Sequence, residues 1–150
     1  MSTEALMEQV ELSTERAKAL QKAEEHEIAQ TIIRQLGGGG TGRLVAMVGA
    51  KDFTVYNRGY DYDLDGNKVE HSDVRGGVCF KFPNRAAGTP TFCRILLTTA
   101  DTYRVGFLRL RGYEITLRKG FEDVYGDQLR DVFERETGLT LTLFPHRGES

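Results

Sequence analysis

The chain has 150 residues, of which 39% are hydrophobic and 28% are charged, and its formal net charge at pH 7 is −2. These values are ordinary for one globular domain whose core needs neither disulfides nor metal ions. No apolar run approaches the roughly 18 residues of a membrane span, and the Glu-rich N-terminus lacks a signal-peptide pattern, so we expect a cytoplasmic protein without membrane segments.

Charge is distributed unevenly along the chain. Residues 1–36 contain 4 basic and 7 acidic residues (net −3), residues 91–119 contain 6 and 2 (net +4), and residues 120–138 contain 2 and 6 (net −4). Either the acids of the last segment neutralise the basic segment, or a basic patch stays exposed to a polyanion.

The first 36 residues predict a long helix, because residues 2–36 lack proline and glycine and are rich in good helix formers. The apolar stripe is weak at first and firm at Ile28, Ile32, Ile33 and Leu36. We therefore expect residues 1–27 to form a partly solvated helical arm and residues 28–144 a single domain, followed by a loose tail over 145–150.

Short strands are predicted after that helix. The glycine run at 37–42 contains the letters of a dinucleotide-binding loop, but it follows a helix instead of a strand, which favours a helix end and hinge. Residues 43–50 are apolar on both alternations, typical of a short covered strand, and residues 53–56 and 76–83 also read as extended. Cys79 and Cys93 fall in such segments; buried reduced thiols are expected, with a cross-strand disulfide as the alternative if they face each other.

Residues 91–119 are the most strand-like part of the chain and predict a three-stranded antiparallel meander. The apolar phase changes close to Gly106, which predicts a bulge or a sharp twist there. Residues 121–137 have helical apolar spacing, with Gly138 as a C-cap, and residues 139–143 alternate like an edge strand. Together these patterns predict an α+β domain with an N-terminal helix, a mainly antiparallel sheet of four to six strands, and a C-terminal amphipathic helix packed on one face.

An acidic segment offers a candidate metal site. Three aspartates at alternate positions followed by glycine are typical of the start of a calcium loop, and the candidate Ca²⁺ ligands are Asp61, Asp63, Asp65 and Asn67. The glutamate that such a loop needs at its twelfth position is replaced by Ser72. A hairpin turn at Asp65-Gly66 with solvated acids is the alternative.

The basic meander offers a candidate nucleic-acid surface, because aromatic side chains beside a basic groove are typical of single-strand binding. The alternative is that the aromatic residues are core and that the acidic final helix pairs with the cations. The candidate residues are Arg94, Arg104, Arg109, Arg111, Tyr113, Arg118 and Lys119.

Several ordered motifs resemble a family of small uncharacterised proteins encoded by phages and prophages. The motifs are QTIIRQLGGGGTGRLVAMVGAK, GVCFKFP, ILLTTADTYRVGFLRLRG and DVYGDQLRDVFERETGL, and together they span residues 30–139. The chain departs from the family at Val48, where the family has Thr, in its extra glycines and in the acidic segment. The resemblance implies a mobile-element origin and the cytoplasm of a bacterial host, and it supplies no catalytic residues.

The expected function is a non-enzymatic accessory binding module, because the sequence contains no H-E-x-x-H, G-x-S-x-G or C-x-x-C motif. Nucleic acid is the favoured partner. The alternative partner is a host protein bound through residues 1–36, and a metal-dependent enzyme built on the acidic segment is the third hypothesis.

Overall fold

The computed structural model describes residues 3–37, 41–62 and 68–141. The helices are α1 (Thr3–Gly37), α2 (Thr41–Val48) and α3 (Leu129–Thr137), the last preceded by one 3₁₀ turn (Gly126–Gln128). The strands are β1 (Lys51–Tyr56), β2 (Tyr60–Tyr62), β3 (Lys68–Glu70), β4 (Val74–Lys81), β5 (Phe92–Thr98), β6 (Tyr103–Arg111) and β7 (Glu114–Val124). The α+β prediction is confirmed.

Five strands form one antiparallel sheet in the order β1-β4-β5-β6-β7, and β2 pairs with β3 in a small ladder of its own. The predicted meander is β5–β6–β7. Its two connections are tight because Asp101 and Gly112 adopt φ values of 63° and 62°, a conformation that aspartate and glycine tolerate better than most residues. Short connections of this kind join neighbouring antiparallel strands.

The three helices cover one face of the sheet, which we call the helix face. Here α3 places Phe133 among three strand aromatics, with ring centroids 6.0 Å from Phe80, 5.3 Å from Phe82 and 6.3 Å from Phe107. All four rings are at most 2% exposed. Burying each one contributes about 1.5–3 kcal/mol, so this cluster fixes α3 on the sheet.

The opposite face, which we call the outer face, has a smaller apolar cluster. Tyr56, Val74, Cys79 and Leu96 are buried there, toward the end of the sheet where Gly59 N–H donates to the Val74 carbonyl. The burial decreases along β5, since Leu96 is fully buried whereas Arg94 and Phe92 are half-buried. Among the residues that the structure describes, this face therefore becomes more accessible from Leu96 toward Phe92.

Helix α1 is divided into two parts by burial. From Glu25 onward it packs on the sheet, whereas Leu6, Val10 and Leu20 are 48%, 64% and 72% exposed. The buried residues of α1 begin at Glu25, so the exposed apolar side chains of residues 3–24 precede the part of the helix that packs on the domain.

The prediction of a strand over 43–50 was wrong, because most of that segment is helix α2. Leu44 and Val48 are buried one helical turn apart, while Val45 is 51% exposed. Leu44 packs on the end of α1, with its Cγ 3.6 Å from the place of a Cβ on Gly37. An i,i+4 burial pattern of this kind is helical.

Two predicted boundaries near the C-terminus were also wrong. Residues 121–124 belong to β7 instead of the final helix, since Phe121 and Val124 pair with β6. The described residues 139–141 form no strand; Leu141 is buried, and its N–H donates to Glu134 Oε2 at 2.7 Å. Residues 142–143 of the predicted edge strand lie outside the described residues. Gly138 is the predicted C-cap, with φ 73°.

Both edge strands carry bulges. In β1 the register shifts between Lys51 and Thr54, and Asp52 has φ 55°. The register between β6 and β7 also shifts twice, because β7 has one extra residue at Asp123 (φ 53°) and another at Thr116. The bulge predicted next to Gly106 was wrong, because Val105, Gly106 and Phe107 pair in regular register with both neighbouring strands.

Candidate nucleic-acid interface

A continuous row of side chains crosses the outer face. The register pairs Lys51 with Lys81, Lys81 with Phe92, Phe92 with Leu108, and Leu108 with Arg118. Directly opposed residues of antiparallel strands project from the same face. These five residues therefore form one line across all five strands, which we call the cationic row. Four gaps of about 4.8 Å give it a length of about 19 Å.

The cationic row has charged residues at its ends and apolar residues at its centre. Lys51, Lys81 and Arg118 are exposed, and the two apolar residues between them, Phe92 and Leu108, are half-buried. Arg118 forms no ion pair among the residues that the structure describes. Cations thus stand at both ends of a short apolar centre.

The next row of the outer face is nearly flat. Arg94 pairs with Gly106, and Gly106 pairs with Gly120. The Arg94 guanidinium lies over Gly106, with Nη2 3.4 Å from the place of a Cβ there, and no atom of the described residues lies within 4 Å of the equivalent place on Gly120. A planar ligand could approach the backbone closely along this strip.

Arg104 also lies on the outer face, but it is held by carboxylates. Its Nη2 donates to Asp73 Oδ2 at 2.7 Å, and its Nε donates to the two carboxylate oxygens of Glu122 at 2.9 and 3.0 Å. The hydrogen bond from Arg104 lowers the pKa of Asp73 below its usual 3.8, and the bond to Asp73 raises the pKa of Arg104. Arg104 therefore joins three parts of the chain and adds little positive charge to the surface.

Arg109 and Lys119 belong to other surfaces. Arg109 Nη1 donates to the carbonyl oxygens of Asn84, Ala86 and Thr89 at 3.3, 3.1 and 2.7 Å, and so holds the loop before β5. Lys119 pairs with Phe107 in the register and lies on the helix face, where its Nζ is 3.2 Å from Glu136 Oε2 of α3. The surface predicted from the sequence is therefore divided between the two faces, and for Lys119 the alternative of neutralisation by the final helix holds.

The remaining two predicted residues lie at the β6–β7 turn. Arg111 is the last residue of β6, opposite Glu114, and Tyr113 is fully exposed in the turn. Both are accessible, but they extend from the end of the hairpin instead of the middle of the outer face. They could add contacts at its margin.

Lys51, Lys81 and Phe92 were missed by the sequence analysis. Lys81 could have been found, since it alternates with the buried Phe80 and Phe82 and must therefore face the other way. Lys51 could not, because its place depends on the bulge in β1 and on pairing with a strand 30 positions later in the chain. Register between distant strands is not encoded in local periodicity.

The acidic segment lies mostly outside the described residues. Asp61 is in β2 and pairs with Val69 of β3, whereas Asp63, Asp65 and Asn67 are not described. The antiparallel pairing of β2 with β3 agrees with the hairpin alternative, since a calcium loop of the helix–loop–helix type is flanked by helices. Among the described residues, no group of three or more His, Cys, Asp or Glu side chains is arranged to hold a metal ion.

The two cysteines lie on opposite faces of the sheet. Cys93 pairs with Phe80 and is fully buried on the helix face, whereas Cys79 pairs with Arg94 and is buried on the outer face. Both are free thiols, and burial raises the pKa of each, that of Cys93 well above its usual value. The cross-strand disulfide is excluded because the side chains point apart.

The fold and the cationic row together define an α+β domain with one sheet face covered by helices and the other presenting cations beside apolar side chains. No family model, curated protein or solved structure matches this chain. None of the helices in the described part of the chain is both long enough and apolar enough to cross a bilayer.

Proposed function

We propose that the protein is a non-enzymatic accessory binding module, of phage or other mobile-element origin, that holds single-stranded nucleic acid on the outer face of its sheet. The cationic row carries this proposal. It provides Lys51, Lys81 and Arg118 as phosphate contacts and an apolar centre on which a base can lie. The mobile-element origin is supported by the resemblance of residues 30–139 to phage and prophage proteins.

The shape of the outer face favours a single strand over a duplex. The major groove of B-DNA admits a helix or a two-stranded ribbon, and a five-stranded sheet face is too broad to enter it. A flat face can instead support unstacked bases, as sheet-based single-strand binders do. The glycine pair Gly106–Gly120 and the overlying Arg94 guanidinium offer a second flat surface beside Phe92.

The proposal is tested by removing the aromatic ring without removing the apolar volume. We expect Phe92→Leu to weaken binding of a labelled single-stranded oligonucleotide by about 5- to 150-fold, because a base stacked on an aromatic ring contributes about 1–3 kcal/mol. Fluorescence anisotropy measures the affinity, and a duplex of the same length should bind more weakly.

The matched control is Phe121→Leu, the same change on the same sheet. Phe121 packs edge-on against Phe107 on the helix face, with centroids 6.0 Å apart, and cannot contact a ligand on the outer face. Equal losses for the two variants, or no binding of single strands by the unaltered protein, would refute the proposal.

A second candidate function is binding of a host protein through the first part of α1. Leu6, Met7, Val10, Leu12 and Leu20 are all exposed. These residues precede Glu25, where the packing of α1 on the sheet begins, so folding of this domain leaves them exposed. An amphipathic helix with an unburied apolar stripe can lie in an apolar groove of another protein.

The two candidates are separated by substitutions in α1. Val10→Glu should abolish retention of a host protein from lysate treated with nuclease, whereas Ala19→Glu, which places a carboxylate on a different side of the helix, should not. Neither change should alter binding of oligonucleotides. If both variants retain the same proteins as the unaltered chain, the second candidate is ruled out.

A further inference from the structure

A cleft lies beside the cationic row on the outer face, and its lining extends from β1 to the end of β6. Its volume is about 330 Å³, within the range of small-molecule sites, and its walls include Lys51, Lys81, Pro83, Thr91 and Leu110. We propose that this cleft holds one nucleotide of the bound strand, with its phosphate between the two lysines and its base or sugar against the apolar wall. This inference rests on the proposed function and names the part of the ligand that the cleft recognises.

The lysines supply the argument for a phosphate. Lys51 and Lys81 are directly opposed in the β1–β4 ladder, both are exposed, and both line the cleft. Like charges in that position destabilise a sheet unless an anion lies between them. The nearby carboxylate is that of Asp52, whose Oδ2 is 4.0 Å from Lys81 Nζ, at the outer limit of an ion pair. The phosphate of a nucleotide is negatively charged, and its non-bridging oxygens can accept hydrogen bonds from both ammonium groups.

The wall opposite the lysines is apolar and rigid. Gly49 adopts φ 71° and packs so tightly on Pro83 that a Cβ would lie 3.1 Å from the proline Cδ. Leu110 is held in place because its N–H donates to Thr91 Oγ1 at 3.0 Å. Pro83 and Leu110 therefore present a fixed surface to the planar face of a base or to a sugar, and little conformational entropy is lost when a ligand binds there.

The cleft runs alongside the cationic row. Lys51 and Lys81 belong to the row itself, and Leu110 lies two residues after Leu108 in β6 and therefore on the same face. A strand that lies along the row thus passes the cleft, and one of its nucleotides can enter it.

The test uses the full chain and small ligands in calorimetry. We expect thymidine 5′-monophosphate to bind about tenfold more tightly than thymidine or inorganic phosphate, since only the monophosphate engages both the lysines and the apolar wall. Lys51→Gln should weaken the monophosphate about tenfold by removing a charge-assisted hydrogen bond. Lys22→Gln, the same change on the exposed part of α1, should have no effect. Unchanged circular dichroism shows that both variants fold.

A short labelled oligothymidylate separates failure of this inference from failure of the proposed function. If the oligothymidylate binds but the monophosphate does not, or binds regardless of Lys51→Gln, the cleft assignment is overturned and the proposed function stands. If the monophosphate binds through Lys51 and the oligothymidylate does not bind, the cleft assignment is supported and the proposed function falls. Failure of both ligands overturns both, and inorganic phosphate binding as tightly as the monophosphate overturns the role of the apolar wall.

Discussion

Replacing Arg118 by glutamine should change how binding of single strands depends on salt. Each phosphate of a single strand that a cation neutralises adds about −0.7 to the slope of log K against log salt. Arg118 contacts one phosphate and the two lysines share another, which predicts a slope of about −1.4 for the unaltered protein and about −0.7 for Arg118→Gln. Between about 50 and 200 mM salt, the affinity should then fall about 7-fold for the unaltered protein and about 3-fold for the variant.

The assay is fluorescence anisotropy of a labelled oligonucleotide at several salt concentrations. Lys119→Gln is the matched control, because Lys119 is the next residue in the chain but lies on the helix face beside Glu136. Its slope should equal that of the unaltered protein. A slope near zero for the unaltered protein, or equal changes in slope for the two variants, would refute the assignment of the outer face as the phosphate-contacting surface.

Three further predictions concern stability and reactivity. Asp73→Asn should lower the urea midpoint of unfolding at neutral pH but not in acid. The pKa of Asp73 in the folded protein lies below its unfolded value of 3.8. The stability that the Asp73 carboxylate contributes is therefore present above pH 3.8 and is lost as the pH falls through the folded pKa. Gly126→Ala should destabilise the fold by about 0.5–1.5 kcal/mol in urea denaturation, because a Cβ would lie 2.6 Å from Gln35 Nε2 and displace a side chain that accepts a partly buried hydrogen bond from Tyr103. The Cys93 thiol should resist a thiol reagent in the native protein and react in denaturant, since it is fully buried and burial raises its pKa.

Each of these three predictions would be contradicted by a specific outcome. A stability difference between Asp73→Asn and the unaltered chain that persists in acid would show that the Arg104 ion pair is not its cause. Gly120→Ala is the control for Gly126→Ala, because in the described part of the chain no atom lies within 4 Å of its Cβ position, and equal losses would remove the steric explanation. Rapid native reaction at Cys93 would mean that the core opens easily.

Local periodicity was sufficient to predict the elements whose pattern is long or clearly alternating. The meander and the long first helix follow from the residues at 91–119 and 2–36, and Gly138 ends α3 as expected. Helix α2 was missed because eight apolar residues fit a covered strand and a helix equally well, and packing of Leu44 on α1 decides between them. The final helix was predicted to start at residue 121, but residues 121–124 continue β7 instead. Their pairing with β6 as far as Val124 outweighs the helical spacing of their apolar residues.

The candidate interface was only partly predictable for a related reason. The sequence shows how many cations a segment contains, but the face on which each one lies depends on register. Arg118 and Lys119 are adjacent in the chain but lie on opposite faces of the sheet. Arg104 donates a hydrogen bond to Asp73, which lies 31 positions earlier in the chain. Charge composition alone therefore overestimated the basic surface of the meander and missed Lys51 and Lys81.

The bulges on the two outermost strands also affect how the molecule behaves at high concentration. An unbroken outer strand offers a template on which a neighbouring molecule can extend the ladder, and this is a common origin of aggregation. In β1 and β7, aspartates with left-handed backbone conformations interrupt that template and increase the local twist. Removing both extra residues of β7, Thr116 and Asp123, would straighten its outer edge, and the resulting protein should form polymers that light scattering detects.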